Sequence, residues 1–82
     1  MTKDEIRKAI IAGLGNIAPE TDPAGIGDNA DVRDALDIDS MDFLNFVTAL
    51  HRDLRVDIPE ADYPKLLTIG GATAYLSVKL GA

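Results

Sequence analysis

Phe43, Phe46, Val47, Leu50 and Leu54 recur at intervals of three and four. At roughly 100° per residue they gather on one side of a helix. Such a stripe must be covered by other apolar surface, so the chain needs further helices of the same kind. Ile6, Ile10, Leu14 and Ile17 supply one, with Ala9 and Gly13 on the same side, and Ile69, Ala72, Leu76 and Leu80 supply another. No stretch alternates with the period of a strand. The pattern predicts an all-α protein, a small four-helix bundle of three longer helices plus one short, in a single domain over 1–82.

Local signals set the expected ends. Thr2 followed by Glu5 has the form of a capping box. Gly15-Asn16 is the expected stop of the first helix, because both residues tolerate left-handed backbone. Between Ala18 and Ala30 the period disappears and Pro19, Pro23, Gly25 and Gly27 punctuate the chain. A loop of that length in a small domain is either functional or mobile. Val32, Leu36 and Ile38 anchor a turn or a short helix. Asp28, Asp31, Asp34 and Asp37, at every third position, read as a solvated acidic edge; an EF-hand would need other spacing. The second long helix is expected from Asp39 or Ser40 to Leu54, with acids at its start and His51, Arg52 and Arg55 at its end, as the macrodipole favours. Val56-Asp57-Ile58-Pro59 is an extended connector. A brief helix follows near Pro59 and Pro64, and Thr68 caps the last one. Gly70 and Gly71 in its first turn weaken it by up to about 1 kcal/mol each.

The chemistry converges on Asp37-Ile38-Asp39-Ser40-Met41-Asp42. Ser40 stands at the start of the central helix between carboxylates. Two roles fit that place: an ordinary N-cap, or attachment of an anionic group facing free backbone amides. Catalysis does not fit. His51 is the only histidine and lies eleven positions on, roughly 16 Å along a helix axis, whereas a nucleophile and its base must approach to about 3 Å. One histidine and no cysteine also leave no plausible zinc ligand set. Met41, Leu44 and Thr48 fall beside Ser40, off the apolar stripe. They are either a partner-binding stripe or residues folded onto the loop and the core margin.

Net charge is −6, which repels phosphate backbones and anionic lipid, so neither nucleic acid nor membrane is an expected partner. Met1-Thr2-Lys3-Asp4-Glu5 is charged and lacks the apolar segment of a signal peptide. The expected setting is cytoplasmic and the expected state a monomer.

These residues resemble the acyl carrier protein family, including its aminoacyl and peptidyl carriers. Asp39-Ser40-Met41, then Asp42 and Phe43-Leu44-Asn45-Phe46-Val47, match the family's Asp-Ser-Leu-like signature. Val32-Arg33-Asp34-Ala35-Leu36 upstream, and Val56-Asp57-Ile58-Pro59, Leu66-Leu67-Thr68-Ile69, Ala72 and Tyr75-Leu76 downstream, extend the likeness over nearly the whole chain. The resemblance implies a four-helix carrier, not an enzyme. It implies 4′-phosphopantetheine from coenzyme A on Ser40, flanked by Asp39, placed there by a phosphopantetheinyl transferase that uses magnesium. A thioester on the imported thiol would then carry acyl or aminoacyl groups between a loading ligase and downstream transferases or synthases. Met41, Asp42, Leu44 and Thr48 would meet those partners. Asn45, Thr48, His51 and Arg52 stand where fatty-acid carriers often show acids or a large apolar contact, and Phe43 is bulky for the position. Both departures imply a specialised carrier rather than a housekeeping one. The alternative is an unmodified interaction module that keeps the carrier fold.

Overall fold

The apolar stripes form helices and bury one another. The computed structural model describes residues 1–81. Helix α1 spans Lys3–Ile17, α2 Val32–Leu36, α3 Ser40–Leu54 and α4 Ile69–Leu80. Two 3₁₀ segments, Pro23–Gly25 and Glu60–Leu66, sit in the connections. Helix α1 packs against α3 and α4, α4 against the Glu60–Leu66 segment, and Pro23–Gly25 against α1. Among the described residues the only β pairing is an isolated bridge between Asp31 and Thr68. The expected bundle of three long helices and one short is therefore present, the short one being Glu60–Leu66. Helix α2 is an additional turn and a half.

The core is the set of residues the periodicity selects. Ile6, Ile10, Leu14, Phe46, Leu66, Ile69, Ala72 and Leu76 are fully buried, with Val47 and Leu50 nearly so. Ile17, Leu54 and Leu80, the outermost residues of the three stripes, are partly buried against them. The ring of Phe46 lies on the α1 backbone at Gly13, where an added Cβ would stand 3.3 Å from the ring. Glycine thus lets two long helices approach with an aromatic ring between them. Val56 and Ile58 alternate inward along the extended connector.

Three expectations change. Helix α1 does not stop at Gly15-Asn16. It runs to Ile17, and the Ala18 amide still donates to Leu14 O at 3.0 Å. Burial of Leu14 and Ala18 on the core side carries the helix through the weak residues. The 18–30 connection is fastened rather than loose. Pro23 is buried, Thr21 Oγ1 donates to Ala18 O, Arg7 pairs with Asp28 at 2.6 Å, and Gly70 N–H donates to Asp28 O at 2.9 Å. The acidic ladder is likewise only half solvated. Asp28 makes those two contacts, and Asp31 caps α2 through Arg33 N–H while holding the Arg33 guanidinium at 3.1 Å. Only Asp34 and Asp37 are plainly exposed.

The glycines opening α4 also acquire a reason. A Cβ on Gly71 would lie 2.8 Å from Lys65 O and from the capping hydroxyl of Thr68, and one on Gly70 would lie 3.1 Å from Asp28 O. Thr68 Oγ1 accepts the Gly71 amide at 3.0 Å, as expected of the cap. The cost in helix propensity is exchanged for a seam that only glycine fits.

One core position is imperfect. Ser77 on α4 is 3% exposed, and its hydroxyl has no hydrogen-bond partner among the described residues. A buried unpaired hydroxyl costs about 1–3 kcal/mol, and alanine also has the better helix propensity. Ser77→Ala is therefore expected to stabilise by about 1 kcal/mol, raising Tm by about 4–8 °C in a domain of this size. A thermal melt with unchanged or lower Tm would contradict this.

Candidate functional site

The start of α3 separates two tasks that the sequence left on one residue. Asp39 is the N-cap. Its Oδ1 accepts the Asp42 amide at 2.9 Å, and the Asp42 carboxylate accepts the Asp39 amide at 3.4 Å, closing a capping box. Ser40 is consequently the first helical residue. It is exposed, and its hydroxyl has no hydrogen-bond partner among the described residues. The N-cap role considered for Ser40 belongs to Asp39.

What precedes the serine aims it. Asp37 closes α2 in left-handed backbone, φ 53°, and Ile38 packs against the core beside it. A short polar side chain tolerates that conformation better than most. The chain therefore leaves α2, turns once on Asp37 and enters α3 at a fixed angle. Ser40 sits at the outer corner.

An anionic substituent fits this corner in two respects. The Asp39 and Asp42 amides are used by the capping box, which leaves the Ser40 and Met41 N–H groups of the first turn open. They point along the positive end of the helix dipole. A groove of about 330 Å³ also opens beside Ser40, between α3 and the Glu60–Leu66 segment. Phe43, Leu44 and Leu67 form its apolar walls, and Arg33, Glu60 and Tyr63 stand at its edge. Arg33 is already bound to Asp31, and that contact holds the Asp31 carboxyl below the usual carboxylate range. Against these stand the two capping carboxylates, which oppose added negative charge.

The other expected site residues fall as follows. Met41 is 65% exposed, so it does not fold back onto the loop, and Leu44 is 39% exposed at the groove margin. Thr48 is exposed and spends its hydroxyl on Leu44 O at 2.9 Å. Met41, Leu44 and Thr48 are thus accessible along one side of α3. Asp42 is half-buried and tied into the capping box, so it also has a structural task. His51 stands in the last turn of the same helix with Nδ1 2.7 Å from Val56 O. Ser40 and His51 are at opposite ends of α3 and cannot form a dyad. Among the described residues no group of three potential ligands is placed to hold a metal ion.

Glu60 and Tyr63 were not foreseen as site residues. Their signal was present: they lie three apart between Pro59 and Pro64, and a 3₁₀ helix brings i and i+3 onto one edge.

The cap permits a direct test. Asp39→Ala is expected to cost about 1 kcal/mol, seen as a lower urea midpoint with unchanged m. Asp39→Asn keeps an accepting oxygen at the cap, so its midpoint should stay near that of the parent protein. Equal midpoints for all three would remove Asp39 from the cap.

Comparison with known proteins agrees with this geometry. The family described as phosphopantetheine attachment site matches residues 8–76. An acyl carrier protein of Zymomonas mobilis is 29% identical over 75 residues, covering 92% of this chain and 90% of its own. One of Bradyrhizobium is 30% identical over 73 residues, covering 89% and 86%. A mitochondrial acyl carrier protein of Neurospora crassa is 26% identical over 76 residues, covering 93% of this chain and 57% of its own. The match spans every helix described above, and the chain belongs to the acyl carrier protein family, whose covalent prosthetic group is 4′-phosphopantetheine.

Proposed function

We propose that Ser40 is the attachment residue, and that residues 1–82 act as one carrier domain for acyl or aminoacyl groups. The observation that carries this is the free hydroxyl. Asp39 holds the cap, so Ser40 Oγ is exposed and unengaged at the corner of the bundle. In the modification Ser40 Oγ forms the new ester bond to phosphorus of coenzyme A, and the 3′-phosphoadenosine phosphate portion leaves. The hydroxyl proton passes to a base of the transferase, since this chain offers none nearby. When bound, the group supplies a thiol that holds cargo as a thioester. The open Ser40 and Met41 amides orient its phosphate, and the arm raises the effective concentration of cargo at a partner.

Asp39 serves as the flanking residue of the attachment motif. Met41, Asp42, Leu44 and Thr48 form the partner face, read by the phosphopantetheinyl transferase, the loading ligase and downstream transferases or synthases. The setting is cytoplasmic and the state monomeric; among the described residues no helix is long and apolar enough to cross a membrane.

A specialised carrier fits better than a housekeeping fatty-acid one. Phe43 is buried with its ring 6.1 Å from that of Phe46, filling the interior behind Ser40. The space left is the 330 Å³ groove with charged edges, suited to short cargo. Past Asp42, the outward face of α3 presents Asn45, Thr48, His51 and Arg52 before Asp53.

The test is intact mass after incubation with coenzyme A, magnesium and a broad-specificity transferase. One phosphopantetheinyl adduct is expected. No adduct on folded protein would return the chain to an unmodified interaction module.

A further inference from the structure

The largest concave surface of the molecule is not at Ser40. A groove of about 620 Å³ runs between α4 and the outer edge of the Glu60–Leu66 segment. Its apolar side is a stripe of Gly71, Ala74 and Val78, and Val78 is 85% exposed. Lys65 and Lys79 stand over the Tyr75 ring, their Nζ atoms 5.7 and 5.6 Å from its centroid. The ring is pinned, because Tyr75 OH donates to Asp62 at 2.6 Å. Burial, then the Asp62 carboxylate, push the Tyr75 hydroxyl up to about 12, so it stays a donor at neutral pH.

We propose that this groove is a second docking surface, which takes an acidic segment of a partner protein, with an aliphatic side chain on the Ala74–Val78 stripe and a carboxylate between Lys65 and Lys79.

Charge selects the occupant. The chain carries −6 overall, yet here two ammonium groups meet one carboxylate. Asp62 is already engaged by Tyr75 and, at 3.7 Å, by Lys65, while Lys79 makes no ion pair among the described residues. The groove therefore favours an anion in a protein that otherwise repels them. A partner protein fits better than a lipid surface, because the remaining surface charge opposes an anionic bilayer and a concave groove does not meet a flat one.

The two grooves are independent. In the 3₁₀ segment Glu60 and Tyr63 form one edge and face the Ser40 groove, while Asp62 and Lys65 form another and face α4. A partner seated on α4 leaves Ser40 open to a second enzyme. The surface does not rest on modification of Ser40, so the two readings fail separately.

The test uses the full ¹⁵N-labelled chain, unmodified, titrated with the capped peptide acetyl-Asp-Leu-Glu-Asp-Leu-Glu-amide. Saturable shifts are expected at Gly71, Ala74 and Val78, with Leu44 and Tyr63 unmoved. The double variant Lys65→Glu/Lys79→Glu should weaken binding at least tenfold. Val78→Asp, at an open position that does not endanger folding, should weaken it as well. Non-saturable shifts, shifts centred on the start of α3, or equal binding of the peptide with lysine in place of each acid would overturn the proposal. So would stronger perturbation of the same amides by phosphatidylserine-containing vesicles.

Discussion

Ser40→Ala is expected to abolish the phosphopantetheinyl adduct completely while leaving the urea midpoint within about 0.5 kcal/mol of the parent protein, as for surface substitutions generally. The expectation follows from the division of labour at the start of α3. The cap belongs to Asp39, the reciprocal bond to Asp42, and the Ser40 hydroxyl touches nothing within the described fold. Alanine at the first helical position retains every backbone contact. The informative result is the combination: no adduct by intact mass and an unchanged melt. An adduct on Ser40→Ala would move the attachment to another residue. A melt lowered by 1 kcal/mol or more would mean that Ser40, not Asp39, closes the helix.

Phe46→Ala should produce the largest loss of stability in the chain. Phe46 is fully buried, is among the largest such side chains, and lies between α3 and the α1 backbone at Gly13. Removing a buried phenyl ring costs about 3–5 kcal/mol. A chain of 82 residues has roughly 4–12 kcal/mol in total, so Tm should fall by at least about 12 °C. Gly13→Ala provides the internal control. In the parent protein the added methyl meets the ring at 3.3 Å, so the helix-propensity gain of about 1 kcal/mol is offset by crowding. In the Phe46→Ala background the ring is gone and the full gain should appear. Strict additivity in this cycle would show that the two helices do not meet through that ring.

The three long helices were legible because each carries an uninterrupted apolar stripe, and burial followed those stripes residue by residue. The end of α1 was not. Gly15-Asn16 is a sound local stop signal, and it lost to the burial of Leu14 and Ala18 on either side. The position of Ser40 at the head of α3 was legible; its relation to Asp39 was not, since either residue can cap and only geometry shows which does. The same holds for Gly70 and Gly71. In sequence they count against a helix, whereas in three dimensions they are where it touches Lys65 and Asp28. The grooves lay beyond reach, because they arise from the 3₁₀ period of a segment whose two prolines signalled only that it would be brief.

The seam at the head of α4 has a kinetic consequence. Val32 N–H donates to Leu67 O at 2.8 Å and Gly70 N–H to Asp28 O at 2.9 Å, so both amides reach across chain segments that no single helix unites. Neither proton can exchange with solvent by fraying of a helix end alone. Each is released only when the 18–30 connection and α2 part from α4. The long connection is thereby joined to the core as one cooperative unit, and the corner that presents Ser40 inherits its rigidity from a glycine seam elsewhere in the bundle.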